Sequence, residues 1–319
     1  MEFPNLLREQ IEFLFQGTVN LAEDVRNLSQ RYRGARLNSD SLLKTDREAL
    51  AYALVRMPAT FGAVSFALSA IANVTNCELQ TMLDVGAGTG ACGWAAEKIF
   101  DLKQLICLER EVVMRKLGQR LMQGSGVTSL VEAQWLPFDL VKDDISQTAD
   151  LVTASYVLNE LDAKMRELAV KKLWQATKRI LLIVEPGMPE AFKFLLNLRQ
   201  ILINEGAYVL APCPHASKCP LPAEDWCHFS ARVARSRLHR QLKGADMGYE
   251  DEKYCFLAVS RQAPCLLYRR ILKEPKVSKA RVLCEVCSPD GALEQKEVSL
   301  RDKASYRVAK KWCWGDILT

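Results

Sequence analysis

Three thiols, Cys213, Cys219 and Cys227, fall within fifteen residues, and prolines occupy positions 212, 214, 220 and 222. Proline fixes its own φ and has no N–H for a helix, so the stretch reads as a stiff loop. A thiolate is a soft ligand, suited to zinc or to an iron–sulfur cluster. The gaps of five and seven residues are longer than the roughly two to four of a zinc knuckle. They also differ from the ferredoxin run, so spacing leaves zinc and cluster both open. A fourth ligand must come from elsewhere. Cys284 and Cys287 precede the turn at 288–291. Three apart on a strand, they tend to face opposite sides, and Cys287, at the strand end, is the better placed. His215 and His228 are alternatives. Cys77, Cys92, Cys107, Cys255, Cys265 and Cys313 are isolated and read as small buried hydrophobes or surface thiols.

A second constellation is Asp84-x-Gly86-x-Gly88-x-Gly90, closing a predicted strand and opening a helix. Glycines let the chain turn sharply and let a ligand approach the backbone, and the helix N-terminus offers free N–H groups. The dinucleotide fingerprint would place a third glycine at position 91, which is alanine. The acid two residues before the first glycine resembles the first motif of class I S-adenosylmethionine-dependent methyltransferases. That resemblance implies that Asp84, Gly86, Gly88 and Gly90 hold the cofactor. Glu109, at the end of the second strand, can accept both ribose hydroxyls, a geometry shared with nicotinamide enzymes. By the same resemblance, Asp139, after the third strand, is expected to approach the adenine edge. The fourth-strand region, 150–161, matches the same family. No catalyst can be nominated. An Asn/Asp-Pro-Pro-aromatic motif is absent where the chain reads 155–158, and the fifth strand ends Glu185, Pro186, Gly187 without a nucleophilic cysteine.

These residues need a scaffold. Leu7, Ile11, Leu14, Leu21, Val25, Leu28 and Tyr32 form one stripe, predicting an amphipathic helix over 5–33. Thr45 and Glu48 have the form of a capping box for a helix ending near Met57; another apolar helix runs to about Val74. From residue 80 strands and helices alternate, the mark of a parallel sheet covered on both faces. Strands are predicted at 80–85, 104–108, 130–135, 150–155, 180–185, 208–211 and 254–260, with helices at 91–100, 111–122, 163–177 and 189–205. The tail holds strands at 281–286 and 293–300. The domains are thus a helical cap (1–75), a methyltransferase-like domain (76–262) with a cysteine-rich insertion (212–253), and a small β-rich extension (263–319). The fold class is α/β: a class I methyltransferase, Rossmann-like mixed sheet.

The 319 residues are 49% hydrophobic, enough for a substantial core, and carry a net charge of +5 from 43 basic and 38 acidic residues. No apolar run reaches the ~18 residues of a membrane span. The first residues lack the features of a signal or transit peptide. A cytoplasmic monomer is expected, its eleven cysteines thiols or ligands instead of disulfides. Two basic runs flank the thiol loop: Arg232, Arg235, Arg237, Arg240 and Lys243, then Arg261, Arg269, Arg270, Lys273, Lys276, Lys279 and Arg281. Such runs suit an RNA backbone.

The segments 211–215, Cys219 with Pro220, 225–230, 249–253 and 287–291 resemble the methyltransferase-like proteins of the small ribosomal subunit, a family of bacterial members and mitochondrial assembly factors. Tyr32 with Arg33, 51–60 and 314–316 extend the resemblance over nearly the whole chain. It implies a 4Fe–4S cluster on Cys213, Cys219, Cys227 and Cys287, and association with the immature small subunit and its rRNA. It also implies an S-adenosylmethionine-dependent methyltransferase activity that is presumed more than established. The expected function is small-subunit assembly. The alternatives are an active methyltransferase on rRNA or protein and, further off, a zinc-stabilised nicotinamide-binding protein.

Overall fold

At the N-terminal end α1 (Asn5–Phe15), α2 (Asp46–Val55) and α3 (Met57–Ala72) pack together. The structure, a computed structural model, describes residues 2–16, 23–25 and 43–319. Leu7 and Ile11 of α1 are buried as the apolar stripe requires, but the helix expected over 5–33 stops at Phe15; Leu21, Leu28, Tyr32 and Arg33 lie outside the described residues. The predicted capping box opens α2. The Thr45 hydroxyl accepts from the Glu48 N–H at 3.2 Å, and a Glu48 carboxylate oxygen accepts from the Thr45 N–H at 3.1 Å. Pro58 sits in the first turn of α3, where its missing N–H costs nothing. No single described helix is long and apolar enough to cross a membrane. α2 and α3 together would pass on length and composition, but they bend by 50° and are largely buried in the core.

The sheet domain runs β1 (Thr81–Val85), α4 (Ala91–Glu97), β2 (Gln104–Glu109), α5 (Val112–Gln123), α6 (Thr128–Val131), β3 (Gln134–Pro137) and β4 (Ala149–Ser155). It continues through α7 (Ala163–Ala176), β5 (Thr177–Pro186), α8 (Pro189–Asn204), β6 (Tyr208–Ala211), β7 (Phe229–Ala234), α9 (Arg237–Lys243) and β8 (Tyr249–Ser260). The strand order is β3-β2-β1-β4-β5-β8-β6, with β7 added along β8. The first five strands are parallel; β8 runs antiparallel to β5, β6 and β7. An antiparallel strand wedged between the fifth and sixth marks the class I methyltransferase fold. The dinucleotide-binding order 3-2-1-4-5-6 has no strand between the fifth and sixth. Strand residues alternate between the two faces. Met82 joins the core under α3 and α4, while Leu83 and Val85 join the core under α7 and α8.

Two sequence expectations are corrected here. Residues 128–131 are a helical turn, and the third strand starts at Gln134. The insertion is not all loop: its second half is β7, whose Phe229, Ala231 and Val233 point inward, followed by α9.

The extension folds as a second sheet. It contains β9 (Arg269–Ile271), β10 (Lys276–Val277), β11 (Arg281–Cys287), β12 (Leu293–Ser299), α10 (Lys303–Ala309) and β13 (Ile317–Leu318). The strand order is β10-β11-β9-β13, with β12 on β11. β9, β10, β13 and α10 were not expected; the three strands are two or three residues long, too short to show a period.

Candidate functional site

The glycine loop leaves β1 through three residues of positive φ: Gly86 (71°), Gly88 (58°) and Gly90 (88°). A Cβ on Gly86 would come within 2.6 Å of Val157 Cγ2. The loop therefore needs glycine for both backbone conformation and space. It opens on a cleft of about 1000 Å³ lined by Gly86, Gly88, Glu109, Asp139, Tyr156 and Glu160, among others. Glu109 is buried, and its carboxylate is already oriented: one oxygen accepts from the Gly88 N–H at 2.7 Å, the other from the Glu111 N–H at 2.8 Å. Burial pushes its pKa up, against the pull of those two bonds. Asp139 lies on the rim beside Phe138, its carboxylate accepting from the Val141 N–H.

Asp84 and Gly90 do not line this cleft. Asp84 is fully buried behind the loop, where one carboxylate oxygen accepts from the Thr153 hydroxyl at 2.7 Å and the other meets no partner. Burial raises its pKa to about 6. Gly90 caps α4, and a Cβ there would stand 2.5 Å from Met122 Cε. Both hold the loop from behind.

The far half of the cleft was missed in the sequence. Tyr156 follows β4 with φ 58°, a left-handed conformation that a tyrosine rarely adopts. Its hydroxyl donates to Glu252 of β8 at 3.0 Å, and Glu252 pairs with Arg56, between α2 and α3, at 3.1 Å. Three distant segments thus meet at the end of β4. Nearby, the buried Glu185 carboxylate accepts the N–H groups of Leu158 and Asn159 at 2.9 and 3.3 Å. Burial raises Glu185 to about 8 and Glu160 to about 7.

The second site lies past the end of β5. Cys213, Cys219, Cys227 and Cys287 line one cavity of about 40 Å³, with Arg199 and His215 in its wall. Sequence separation is bridged by the second sheet: β11 ends at Cys287 and pairs with β9, and Tyr268, just before β9, donates its hydroxyl to the Leu210 carbonyl at 2.8 Å, with the carbonyls of Pro212 and Cys213 3.3 Å away. Cys284 is not part of the site. It packs with Ile271, Val286 and Leu318 in an apolar cluster of the extension, as the strand alternation requires. Cys255, read from the sequence as an isolated thiol, also borders the cavity. Of the two histidines, His215 reaches the site, its Nε2 3.2 Å from Cys287 Sγ. His228 instead stacks on Trp226 and meets the edge of Trp314. Burial pushes Cys213 up, Cys227 well up, and Cys287 to about 12. Among the described residues, no three His, Cys, Asp or Glu side chains are arranged to hold one metal ion.

The two sites share a wall. Glu185 orients the floor of the cleft, the next carbonyl, of Pro186, accepts from Cys255 Sγ at 3.2 Å, and the Gly187 carbonyl accepts from Trp226 Nε1 at 3.1 Å.

Much of the two basic runs is paired or buried within the fold, while Arg237, Lys276 and Lys279 stay exposed. Arg232 pairs with Asp251, and Arg235 and Lys243 pair with Glu250. Arg269 pairs with Glu294, Lys273 with Asp225 and Glu285, and Arg281 with Glu297. Arg270 is buried, and Arg261 lies over the Trp174 ring.

Comparison with known proteins places this geometry. The family model described as mitochondrial small ribosomal subunit Rsm22 matches residues 46–319. The chain is 27% identical to the mitochondrial ribosome assembly protein METTL17 of Homo sapiens, covering 92% of this chain and 69% of that protein. It is 24% identical to the mitochondrial Rsm22-cox11 tandem protein 2 of Schizosaccharomyces pombe, covering 86% of this chain and 43% of that protein. Solved structures similar to it include a Synechocystis magnesium protoporphyrin IX methyltransferase with bound S-adenosylmethionine (TM-score 0.43, 13% identity, 77% of this chain and 100% of that one). A Burkholderia thailandensis O-methyltransferase family protein is another (TM-score 0.47, 12% identity, 78% and 74%). With 274 consecutive residues matched by its model, the chain belongs to the Rsm22 family of small-ribosomal-subunit proteins.

Proposed function

We propose that this protein is a small-ribosomal-subunit assembly factor with an S-adenosylmethionine-binding, methyltransferase-like domain and a 4Fe–4S cluster. Membership in a family whose human relative bears the name of a ribosome assembly protein carries the reading. The cleft supports the cofactor. Glu109 offers an oriented carboxylate to a ribose, Gly86 and Gly88 leave backbone room for the methionine part, and the fold is that of methyltransferases.

The thiol site supports a thiolate-held metal centre: Cys213, Cys219, Cys227 and Cys287 line one cavity, and thiolates suit zinc and iron–sulfur clusters alike. The resemblance of the thiol motif to the family's favours the cluster. Cys213, Cys219, Cys227 and Cys287 would supply the thiolates. A bound cluster would tie the second sheet to the insertion by four metal–sulfur bonds.

Contact with rRNA falls on α10 in this reading. Arg301, Lys303, Arg307, Lys310 and Lys311 are all exposed, and among the described residues none forms an ion pair. Lys303, Arg307 and Lys310 recur at helical spacing on one face. A free cationic stripe suits a phosphate backbone.

Three measurements on anaerobically prepared protein test the proposal: iron and sulfide content, binding of S-adenosylmethionine, and co-sedimentation with immature small subunits. Stoichiometric zinc without sulfide would remove the cluster, and absence from the immature subunit would remove the assembly role. A second reading, active methyl transfer, is favoured by the part of the cleft beyond Glu109, where Tyr156 and the near-neutral Glu160 lie. Methylation maps of small-subunit rRNA with and without the protein decide it: an unchanged map beside an assembly defect excludes methylation of that rRNA.

A further inference from the structure

Two arginines are buried beside the thiols without an acid to neutralise them. Arg199 of α8 is 5% exposed and Arg270 of β9 is 2% exposed. Arg199 donates to the carbonyls of His215 (2.7 Å) and Ser217 (3.0 Å). Arg270 donates to those of Pro212 (3.2 Å) and Gly315 (2.6 Å). One nitrogen on each, Nε of Arg199 and Nη2 of Arg270, is buried and meets no acceptor, and among the described residues neither guanidinium pairs with a carboxylate. Arginine does not deprotonate in proteins, and a buried charge left unpaired is strongly disfavoured. Each side chain therefore calls for a nearby anion. Arg199 lines the thiol cavity, and Arg270 holds the carbonyl of Pro212, the residue before Cys213.

We infer that Arg199 and Arg270 are the fixed counter-charges of the thiol centre, and that they set its charge and its reduction potential. The inference rests on the cluster reading above. An oxidised 4Fe–4S core carries two positive charges and its four thiolates four negative, leaving two negative, which the two guanidiniums balance. Reduction adds one electron and a third negative charge. Fixed cations stabilise that state more than the oxidised one, so they raise the potential. Arg270 has a further reach: through Gly315 it holds the tail, where Trp314 packs on His228, next to Cys227. The charge that balances the centre is thereby also the one that fixes its cover.

The test uses the full chain, reconstituted anaerobically, as Arg199→Met, Arg270→Met and the corresponding Lys variants. Iron and sulfide are counted, and the midpoint potential is followed by spectroelectrochemistry. The expected result is a potential more negative than wild type in each Met variant, with the Lys variants closer to wild type. Iron lost in the Met variants but kept in the Lys variants also supports the assignment. Full iron with a wild-type potential in both Met variants overturns it, as does equal iron loss in Met and Lys variants, which would make the guanidinium's shape and not its charge decisive. A wild-type protein that binds zinc and no iron refutes the cluster reading instead. The charge assignment then stands if the Met variants release zinc more readily than the Lys variants, and falls if they do not.

Discussion

His215 Nε2 lies 3.2 Å from Cys287 Sγ, an approach across 72 residues of sequence, from the proline-rich loop to the second sheet. It belongs to the seam where the extension closes over the proline-rich loop, with Tyr268 and Arg270 on the loop's carbonyls. Cys287 is therefore the thiol whose loss should open the seam. In Cys287→Ser, iron content should fall and the tail should become protease-sensitive, while the main sheet stays folded. Cys284→Ser should keep full iron, because Cys284 packs away from the cavity. Cys219→Ser should behave like Cys287→Ser. Normal iron in Cys287→Ser, or loss of iron in Cys284→Ser, would show that the ligand set is wrong.

Glu109 presents a carboxylate held by two backbone N–H groups. Hydrogen bonds to a charged group contribute about 1.5–3 kcal/mol. Glu109→Gln should therefore weaken S-adenosylmethionine binding by roughly 10- to 150-fold, measured by calorimetry. Cys287→Ser should bind the cofactor nearly as wild type does, since the glycine loop and Glu109 lie outside the thiol cavity. An unchanged affinity in Glu109→Gln would place the ribose elsewhere.

Stability should depend on pH through Glu185. Burial raises its pKa in the folded protein to about 8, from an ordinary value of 4.5. Between those values the folded state keeps a proton that the unfolded chain has lost. Its contribution therefore falls as pH rises from about 4.5 to about 8, and then levels off. Glu185→Gln cannot ionise. The stability of wild type minus that of Glu185→Gln, from denaturant titrations at pH 5, 7 and 9, should decrease with pH. A difference that grows with pH would contradict a protonated Glu185.

What the sequence disclosed and what it hid follow from how local each signal is. The parallel strands are continuous apolar runs bounded by turn residues, so β1, β2, β4 and β5 were legible within a few residues. The third strand was placed early because Leu130 and Val131 are apolar, yet they belong to a one-turn helix, and of the two only Leu130 is buried. The thiol and glycine spacings singled out loops that the fold places at a cavity and at a cleft. The fate of the charges was hidden, because it depends on pairing between distant strands. The run 229–243 holds no acid of its own, but antiparallel pairing sets Arg232 opposite Asp251 and Val233 opposite Glu250. Arg270 looked like one more surface base, and only the fold of the extension shows it buried at the thiol seam.

That same pairing decides where RNA should bind. Salt dependence measures how many phosphates a protein neutralises, with a log–log slope of about −0.7 for each phosphate on a single strand. The triple variant Lys303→Glu, Arg307→Glu, Lys310→Glu reverses the exposed stripe of α10, whose inward side is held by Tyr306 and Ala309. Its slope for small-subunit rRNA should be shallower by about 2, because three phosphates are no longer neutralised, with unchanged iron content and thermal midpoint. Arg232→Glu removes a base already matched by Asp251 at 2.8 Å, and should leave the slope as it was. The opposite pattern, a slope changed by Arg232→Glu and untouched by the triple variant, would return the RNA surface to β7 and α9. A wild-type protein with no measurable affinity for the rRNA would leave assembly to be mediated by protein partners alone.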